Sequence, residues 1–222
     1  MGPLPSRLPE IGGSDTVTSD NVITDVTQLN ALYGAASPRS ITKEITHLNS
    51  EYRSFIEAAP FMAVATVGAE GLDCSPRGED GNVVRVLDEI TIQFADRRGN
   101  NRLDTLRNIV YDSRIALLFL VPGIGETMRV NGRASISVCS KLIESFTTNG
   151  KRPKTVVEVK VDRVYFQCSK ALVRSGIWEV GKQMRPGDVP SAGKMLEATS
   201  TDDLDALEYD RDLERRLSDE LW

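Results

Sequence analysis

Small polar and basic side chains occur together at a turn in the middle of this sequence. Asn100 to Arg102 stand at the start of a predicted short helix, Asn100 to Asp112. A helix N-terminus has free backbone amides, and two carboxamides and a guanidinium beside them can bind one phosphate. Taken alone, the motif favours the simpler interpretation of a capped, solvated helix start.

A second such turn is the segment Ser75 to Gly78. Arg77 follows a predicted strand and is restrained by Pro76, so its guanidinium can also reach an anion. An ordinary turn arginine is an equally good interpretation of this segment.

The strand that begins at Thr127 alternates strictly between apolar and polar residues. Arg129, Asn131 and Arg133 share its polar face. Two arginines at this spacing repel each other unless they are exposed or share an anion. The face is therefore either part of an anion site or the solvated side of a half-exposed sheet.

Lys170, Arg174 and Trp178 recur at intervals of four residues. On a helix they would form one stripe with two cations and an aromatic ring. A planar, electron-poor ring can stack on Trp178 while its phosphate meets the cations. The alternative is a surface helix that Trp178 anchors to the core.

The remaining side chains restrict the chemistry. His47 is the single histidine, so the chain cannot form a histidine-rich metal site. A Ser-His-Asp triad would have to use His47, which we expect to lie on the surface of a helix. Cys74, Cys139 and Cys168 show no CxxC spacing and are predicted to be free thiols in a reducing compartment. An enzyme with this composition would rely on an organic cofactor.

Composition excludes several other classes. The net charge is −5, which argues against a general nucleic-acid binder. No signal peptide is recognisable, and the longest apolar run, Ile115 to Pro122, is too short to span a bilayer. We therefore expect a cytoplasmic protein that does not bind membranes.

The order of the predicted elements indicates the fold. Residues 1–24 are expected to form a flexible arm, and residues 201–222 an acidic amphipathic helix. Between them, in residues 25–200, a helix ending at Tyr33 and another from Ser40 to Ala58 precede about six strands joined largely by hairpins. This spacing favours antiparallel pairing and closure into a small barrel.

The motifs in this order resemble the pyridoxamine 5′-phosphate oxidase-like family of FMN-binding split barrels. The resemblance covers roughly Leu29 to Leu196 and is carried by APFMAVAT, SPRG, VRVLD, DRRGNNRLDTLRN, LLFLVPG, ETMRVNGRA and CSKALVRSGIW. It implies a six-stranded antiparallel split β-barrel with flanking helices. It also implies a homodimer with FMN at the subunit interface, a small-molecule substrate and NAD(P)H as a possible electron donor.

The resemblance also implies roles for particular residues. Arginine or lysine on the second strand and after the third holds the phosphate in that family, and Arg77 and Asn101-Arg102 stand at those positions. Thr127 would reach the isoalloxazine, and Lys170 and Arg174 would come from the partner subunit. The predicted cofactor-binding residues are Ser75, Arg77, Gly78, Asp96, Asn100, Asn101, Arg102, Thr127, Arg129, Lys170, Arg174 and Trp178.

The sequence departs from the true oxidases where they bind the vitamin B6 phosphate. The stretch ESFTTNGKRPK lacks the expected tyrosine, no histidine follows His47, and the C-terminal dimer segment is missing. The resemblance therefore favours an FMN-dependent oxidoreductase with an unidentified substrate. A non-catalytic flavin or haem carrier, an enzyme using a deazaflavin coenzyme, and a catalytic role for Cys168 near Lys170 are the alternatives.

Overall fold

The computed structural model describes residues 21–201 and 203–220 and divides after Thr42 into two units. The first unit contains α1, Val26–Tyr33, and α2, Pro38–Thr42. The helix α1 ends at Tyr33, as predicted; the side chain of Asp25 caps its start by accepting from the amide of Thr27, and Gly34 follows its end. The predicted arm falls mostly outside the described residues.

The second unit is built on one antiparallel sheet. Its strands, in the spatial order β2-β1-β5-β6-β7-β4-β3, are β1 (Phe61–Gly68), β2 (Gly71–Gly78), β3 (Arg85–Asp88), β4 (Thr91–Asp96), β5 (Arg114–Leu120), β6 (Thr127–Ser137) and β7 (Thr155–Gln167). The predicted antiparallel split barrel with flanking helices is confirmed. The predicted number of six strands is wrong, because the short β3 makes seven strands among the described residues.

The edge strand β2 explains how the chain tolerates a proline in this sheet. It forms a hairpin with β1 across Gly68 and Gly71, and Pro76 pairs with Ala63 inside the ladder. Pro76 therefore neither ends the strand nor forms a bulge, since β2 continues to Gly78. An edge strand needs no donor on its outer side, so the missing N–H of a proline costs no ladder hydrogen bond there.

Helices cover the openings of the curved sheet. Asn49 caps α3, Ser50–Glu57, which contacts β3, β6 and β7, while α4, Asp104–Tyr111, contacts β1, β2 and β6. The core between them contains the large side chains Ile56, Met62, Phe94, Leu117 and Phe119, all nearly inaccessible. Burial of these apolar groups is the main stabilising contribution to the barrel.

Several predicted helix boundaries are wrong. The expected helix from Ser40 to Ala58 is two helices, because Ile45 leaves the helical pattern and forms a β-bridge with Val164. The helix expected from Asn100 begins only at Asp104. The later helices are α5 (Ser140–Glu144), α6 (Lys170–Ser175), α7 (Ala192–Glu197) and α8 (Ala206–Glu220), with a 3₁₀ turn at Val180–Lys182. Among the described residues, no helix is long and apolar enough to cross a membrane.

Candidate functional site

A cleft of about 780 Å³ opens where the sheet fails to close. One wall is the end of the edge strand β2, and the other is the end of β4 with the loop that leads into α4. The strands β2 and β4 are not neighbours in the sheet, so the curvature of the sheet brings its two sides together here. Residues 152 and 154, just before β7, complete the rim.

Both turns that the sequence indicated as possible anion sites line the cleft. Seven of the predicted cofactor-binding residues line it: Ser75, Arg77, Gly78, Asp96, Asn100, Asn101 and Arg102. The two turns are separated in sequence by more than one strand and meet only because the sheet curves.

Thr127 and Arg129 do not line this cleft. Thr127 is nearly buried at the start of β6, between Leu120 and Gln167 on the neighbouring strands. Arg129 is exposed, and its Nη1 donates to the hydroxyl of Tyr165 at 2.9 Å. The predicted alternation of β6 is confirmed, since Arg129 and Arg133 lie on the exposed face.

Lys170, Arg174 and Trp178 also lie outside the cleft. Lys170 and Arg174 are exposed on α6. The three residues do not form one helical stripe, because α6 ends at Ser175 and Gly176 adopts a left-handed conformation, with φ of 63°. Trp178 follows the helix, and its indole nitrogen donates to the carbonyl oxygen of Ile124 at 2.8 Å.

The predicted set of cofactor-binding residues leaves out four cationic side chains of the cleft, although two of them, Arg97 and Arg98, belong to the motif DRRGNNRLDTLRN. Arg97, Arg98, Arg152 and Lys154 all line it. The signal for the last two was the basic stretch Lys151 to Lys154 immediately before a predicted strand. The sequence comparison used this stretch only for the tyrosine that it lacks. Its positive charge is also informative, because a basic segment at the end of a strand can reach an adjacent cleft.

The cleft is cationic within an acidic protein. Six cations line it against three carboxylates, whereas the whole chain carries a net charge of −5. Three of the cations are paired: Arg97 with Glu79 at 2.7 Å, Arg152 with Glu144 at 2.5 Å, and Arg102 with Asp104.

The other three cations of the cleft are Arg77, Arg98 and Lys154. Within residues 21–201 and 203–220 none of them forms an ion pair within 4 Å. Nη1 of Arg77 donates only to the carbonyl oxygen of Pro76, at 2.8 Å. Arg77 and Lys154 act electrostatically on Asp96, but none of the three cations is held in a close ion pair in the described part of the chain, so they can also neutralise a bound anion.

The first turn of α4 faces the same cleft. Leu103 occupies the N-cap position with φ of 62° and provides no side-chain cap. Asn101, with φ of 59°, also adopts a left-handed conformation, and the side chain of Asn100 accepts from the amide of Arg102 at 3.0 Å. A leucine in this conformation is strained, and the uncapped helix start leaves backbone amides available to an anion.

Hydrogen bonds fix α4 against the sheet. The hydroxyl of Thr105 donates to Asp73 on β2 at 2.7 Å, and Ser75 donates to the same carboxylate at 3.0 Å. Further along the helix, the amide of Asn108 donates to the buried hydroxyl of Thr66 at 3.2 Å. The position of the helix N-terminus relative to β2 is therefore determined by side chains of both elements.

Asp96 is one of the three half-buried carboxylates of the cleft, with Glu79 and Asp104. Burial raises the pKa of the Asp96 carboxyl above its ordinary value, against the opposing effects of Arg77 and Lys154. Asp96 therefore keeps its proton to a higher pH than an exposed aspartate does. Within the described residues, no group of three histidine, cysteine or acidic side chains is arranged to hold a metal ion.

Comparison with known proteins identifies a family. The family model described as Pyridoxamine 5′-phosphate oxidase matches residues 48–168, more than half of the chain. A search among curated proteins gave no match.

Solved structures of similar proteins include HupZ from Group A Streptococcus, with 22% identity, a TM-score of 0.46, and coverage of 55% of this chain and 95% of that chain. General Stress Protein 26 from Bacillus anthracis has 16% identity, a TM-score of 0.41, and coverage of 51% and 88%. An F420 reductase has 19% identity, a TM-score of 0.39, and coverage of 54% and 98%.

Proposed function

Because this chain belongs to the pyridoxamine 5′-phosphate oxidase family, we propose that it is an FMN-dependent oxidoreductase whose cleft binds the FMN phosphate. The family binds flavins such as FMN. The observation that carries the proposal is the convergence of Arg77, Arg98 and Lys154 with the first turn of α4 in one cleft. A phosphate needs both cations and amide donors, and this cleft has both.

The lining of the cleft fits an amphiphilic ligand. Val83 and Phe94 are almost completely buried at its base, and the half-buried Leu106 joins them. Apolar side chains at the base and cations at the rim suit a molecule with a planar ring system and a phosphate. The volume of about 780 Å³ lies in the range of small-molecule sites.

Bound FMN would supply hydride and electron transfer through its isoalloxazine ring. The residues of the chain would bind and orient the cofactor. Arg77, Arg98 and Lys154 neutralise the phosphate, and Arg102 can join them only by leaving Asp104. Asp96 would hold a proton to a higher pH than an exposed aspartate does, because burial raises the pKa of its carboxyl.

We further propose that a second copy of the chain completes each site. Lys170 and Arg174 are exposed and lie outside the cleft of their own subunit, which is consistent with a role across a homodimer interface. Thr127, Arg129 and Trp178 would take part from the same interface. The three exposed free cysteines support a reducing compartment such as the cytoplasm.

The absorption spectrum of the purified protein, recorded before and after anaerobic addition of NADH or NADPH, tests this proposal. A flavin spectrum that bleaches is the expected result. A flavin spectrum that persists would indicate a carrier or an enzyme with a different electron donor. Absorption bands of haem or of a deazaflavin would show that the protein binds that cofactor instead of FMN. A colourless protein that takes up no added FMN would overturn the proposal.

A further inference from the structure

The side chain of Arg97, which directly follows β4, has its donors occupied. Nε donates to Oε1 of Glu79 at 2.7 Å and Nη2 to Oε2 at 3.3 Å. Nη1 donates to the carbonyl oxygen of Phe146 at 2.8 Å, and Nη2 also donates to Oγ1 of Thr148 at 3.1 Å. The side chains of Arg97 and Glu79 are only 16% and 20% exposed, so solvent screens this pair weakly.

These hydrogen bonds join the segments that carry Arg77, Arg98 and Lys154, the three cations of the cleft that form no close ion pair among the described residues. Glu79 directly follows β2, which carries Arg77. Thr148 belongs to the segment that leads to Lys154, and Arg97 itself precedes Arg98. Since β2 and β4 do not pair in the sheet, the guanidinium of Arg97 bridges the gap between the two walls.

A second cleft of about 450 Å³ adjoins the first and shares Glu79, Val83, Ala95 and Arg97 with it. Its remaining arginines are engaged: Arg53 pairs with Glu57 at 2.9 Å, and Arg85 donates to the carbonyl oxygen of Ser145 at 2.7 Å. Each of these two arginines donates two hydrogen bonds, Arg53 to Glu57 and the carbonyl of Val86, and Arg85 to the hydroxyl and carbonyl of Ser145. The hydrogen-bonded side chains around the second cleft therefore support the structure next to the proposed cofactor cleft.

We infer that Arg97 is a positioning residue for the cofactor phosphate. It touches no ligand itself but holds the ends of β2 and β4 and the segment before β7 at a fixed separation. Arg77, Arg98 and Lys154 then converge on one anion instead of moving independently. The inference rests on the proposed FMN function, because the phosphate is what these cations would bind.

Affinities of ligand-free protein for FMN and riboflavin, measured by flavin fluorescence quenching, test this inference. Riboflavin lacks the phosphate. Arg97→Gln should weaken FMN binding by about tenfold or more and leave riboflavin binding nearly unchanged. Arg97→Lys should behave similarly, since an ammonium cannot span three acceptors as a guanidinium does. The control Arg53→Gln removes an arginine of the second cleft and should leave both affinities unchanged.

Parallel weakening of both flavins would overturn the inference, because it would indicate general destabilisation. Unchanged FMN affinity in Arg97→Gln and Arg97→Lys would overturn it as well. If Arg97→Gln does not fold, Glu79→Gln removes the same ion pair and carries the same expectation.

Hydrogen exchange in the ligand-free protein separates this inference from the proposed function. Arg97→Gln should speed exchange in residues 98–103 and 145–154 but not in the hairpin of β5 and β6. A wild-type protein that binds no FMN would refute the proposed function, and the exchange data would still report on Arg97. Unchanged exchange in both segments would show that Arg97 positions neither.

Discussion

Arg77 is the side chain whose removal should affect phosphate binding most clearly. It is half-buried, lines the cleft and forms no ion pair within 4 Å among the described residues, although its charge acts on the carboxylate of Asp96. Arg77→Ala removes one charge-assisted hydrogen bond to the phosphate, worth about 1.5–3 kcal/mol. At 1.4 kcal/mol per tenfold, the Kd for FMN should rise roughly 10- to 100-fold. Titration of ligand-free protein, followed by flavin fluorescence, measures this change.

Riboflavin and a second variant provide the controls for this experiment. Riboflavin has no phosphate, so Arg77→Ala should leave its affinity unchanged. Arg114→Ala removes an exposed arginine that pairs with Asp112 at 2.6 Å away from the cleft, and it should change neither affinity. The FMN difference should also shrink at high salt, because ions screen an exposed site. Equal losses for FMN and riboflavin, or no loss for FMN, would refute the placement of the phosphate.

Three further substitutions test the framework of the cleft. Gly68→Ala would place a Cβ 1.8 Å from Oδ1 of Asn108, so urea denaturation should show a loss of about 1–3 kcal/mol that shrinks in an Asn108→Ala background. Asp73→Ala leaves the buried Thr105 hydroxyl without its acceptor and should cost about 1–3 kcal/mol in the same assay. Asp96→Asn should stabilise the ligand-free protein at neutral pH, because the raised pKa of Asp96 shows that burial penalises its ionised form.

The outcomes that contradict these expectations are distinct. If the losses of unfolding free energy of Gly68→Ala and Asn108→Ala simply add in the double variant, the side chains at positions 68 and 108 do not contact each other. An unchanged stability of Asp73→Ala would mean that Thr105 finds another partner. For Asp96→Asn, the gain should be present above the raised pKa and disappear as the pH falls toward the ordinary value of 3.8. A gain independent of pH would contradict the assignment of the shift to Asp96.

Periodicity in the sequence predicted the sheet well. The strict alternation from Met128 to Ser135 fixed both the strand and its buried face, since each side chain in a strand points opposite to its neighbours. The nearly continuous apolar run Phe61 to Val67 is likewise typical of a buried strand, and it forms most of β1. The sequence predicted six strands because the four-residue β3 is too short to show a clear periodicity.

Local patterns could not predict contacts across the open side of the barrel. Arg97 and Lys154 enter the cleft only through the curvature of the sheet, which no local spacing encodes. The start of α4 was placed too early because Asn101 and Leu103 adopt left-handed conformations that interrupt the helical pattern. The break at Ile45 was missed because its bridge to Val164 is a tertiary contact.

A crystal structure of the protein with FMN tests the central claim most directly. The account predicts density for the phosphate among the side chains of Arg77, Arg98 and Lys154 and the first amides of α4, with Arg97 still bonded to Glu79. A phosphate bound elsewhere, with these cations facing solvent, would contradict it.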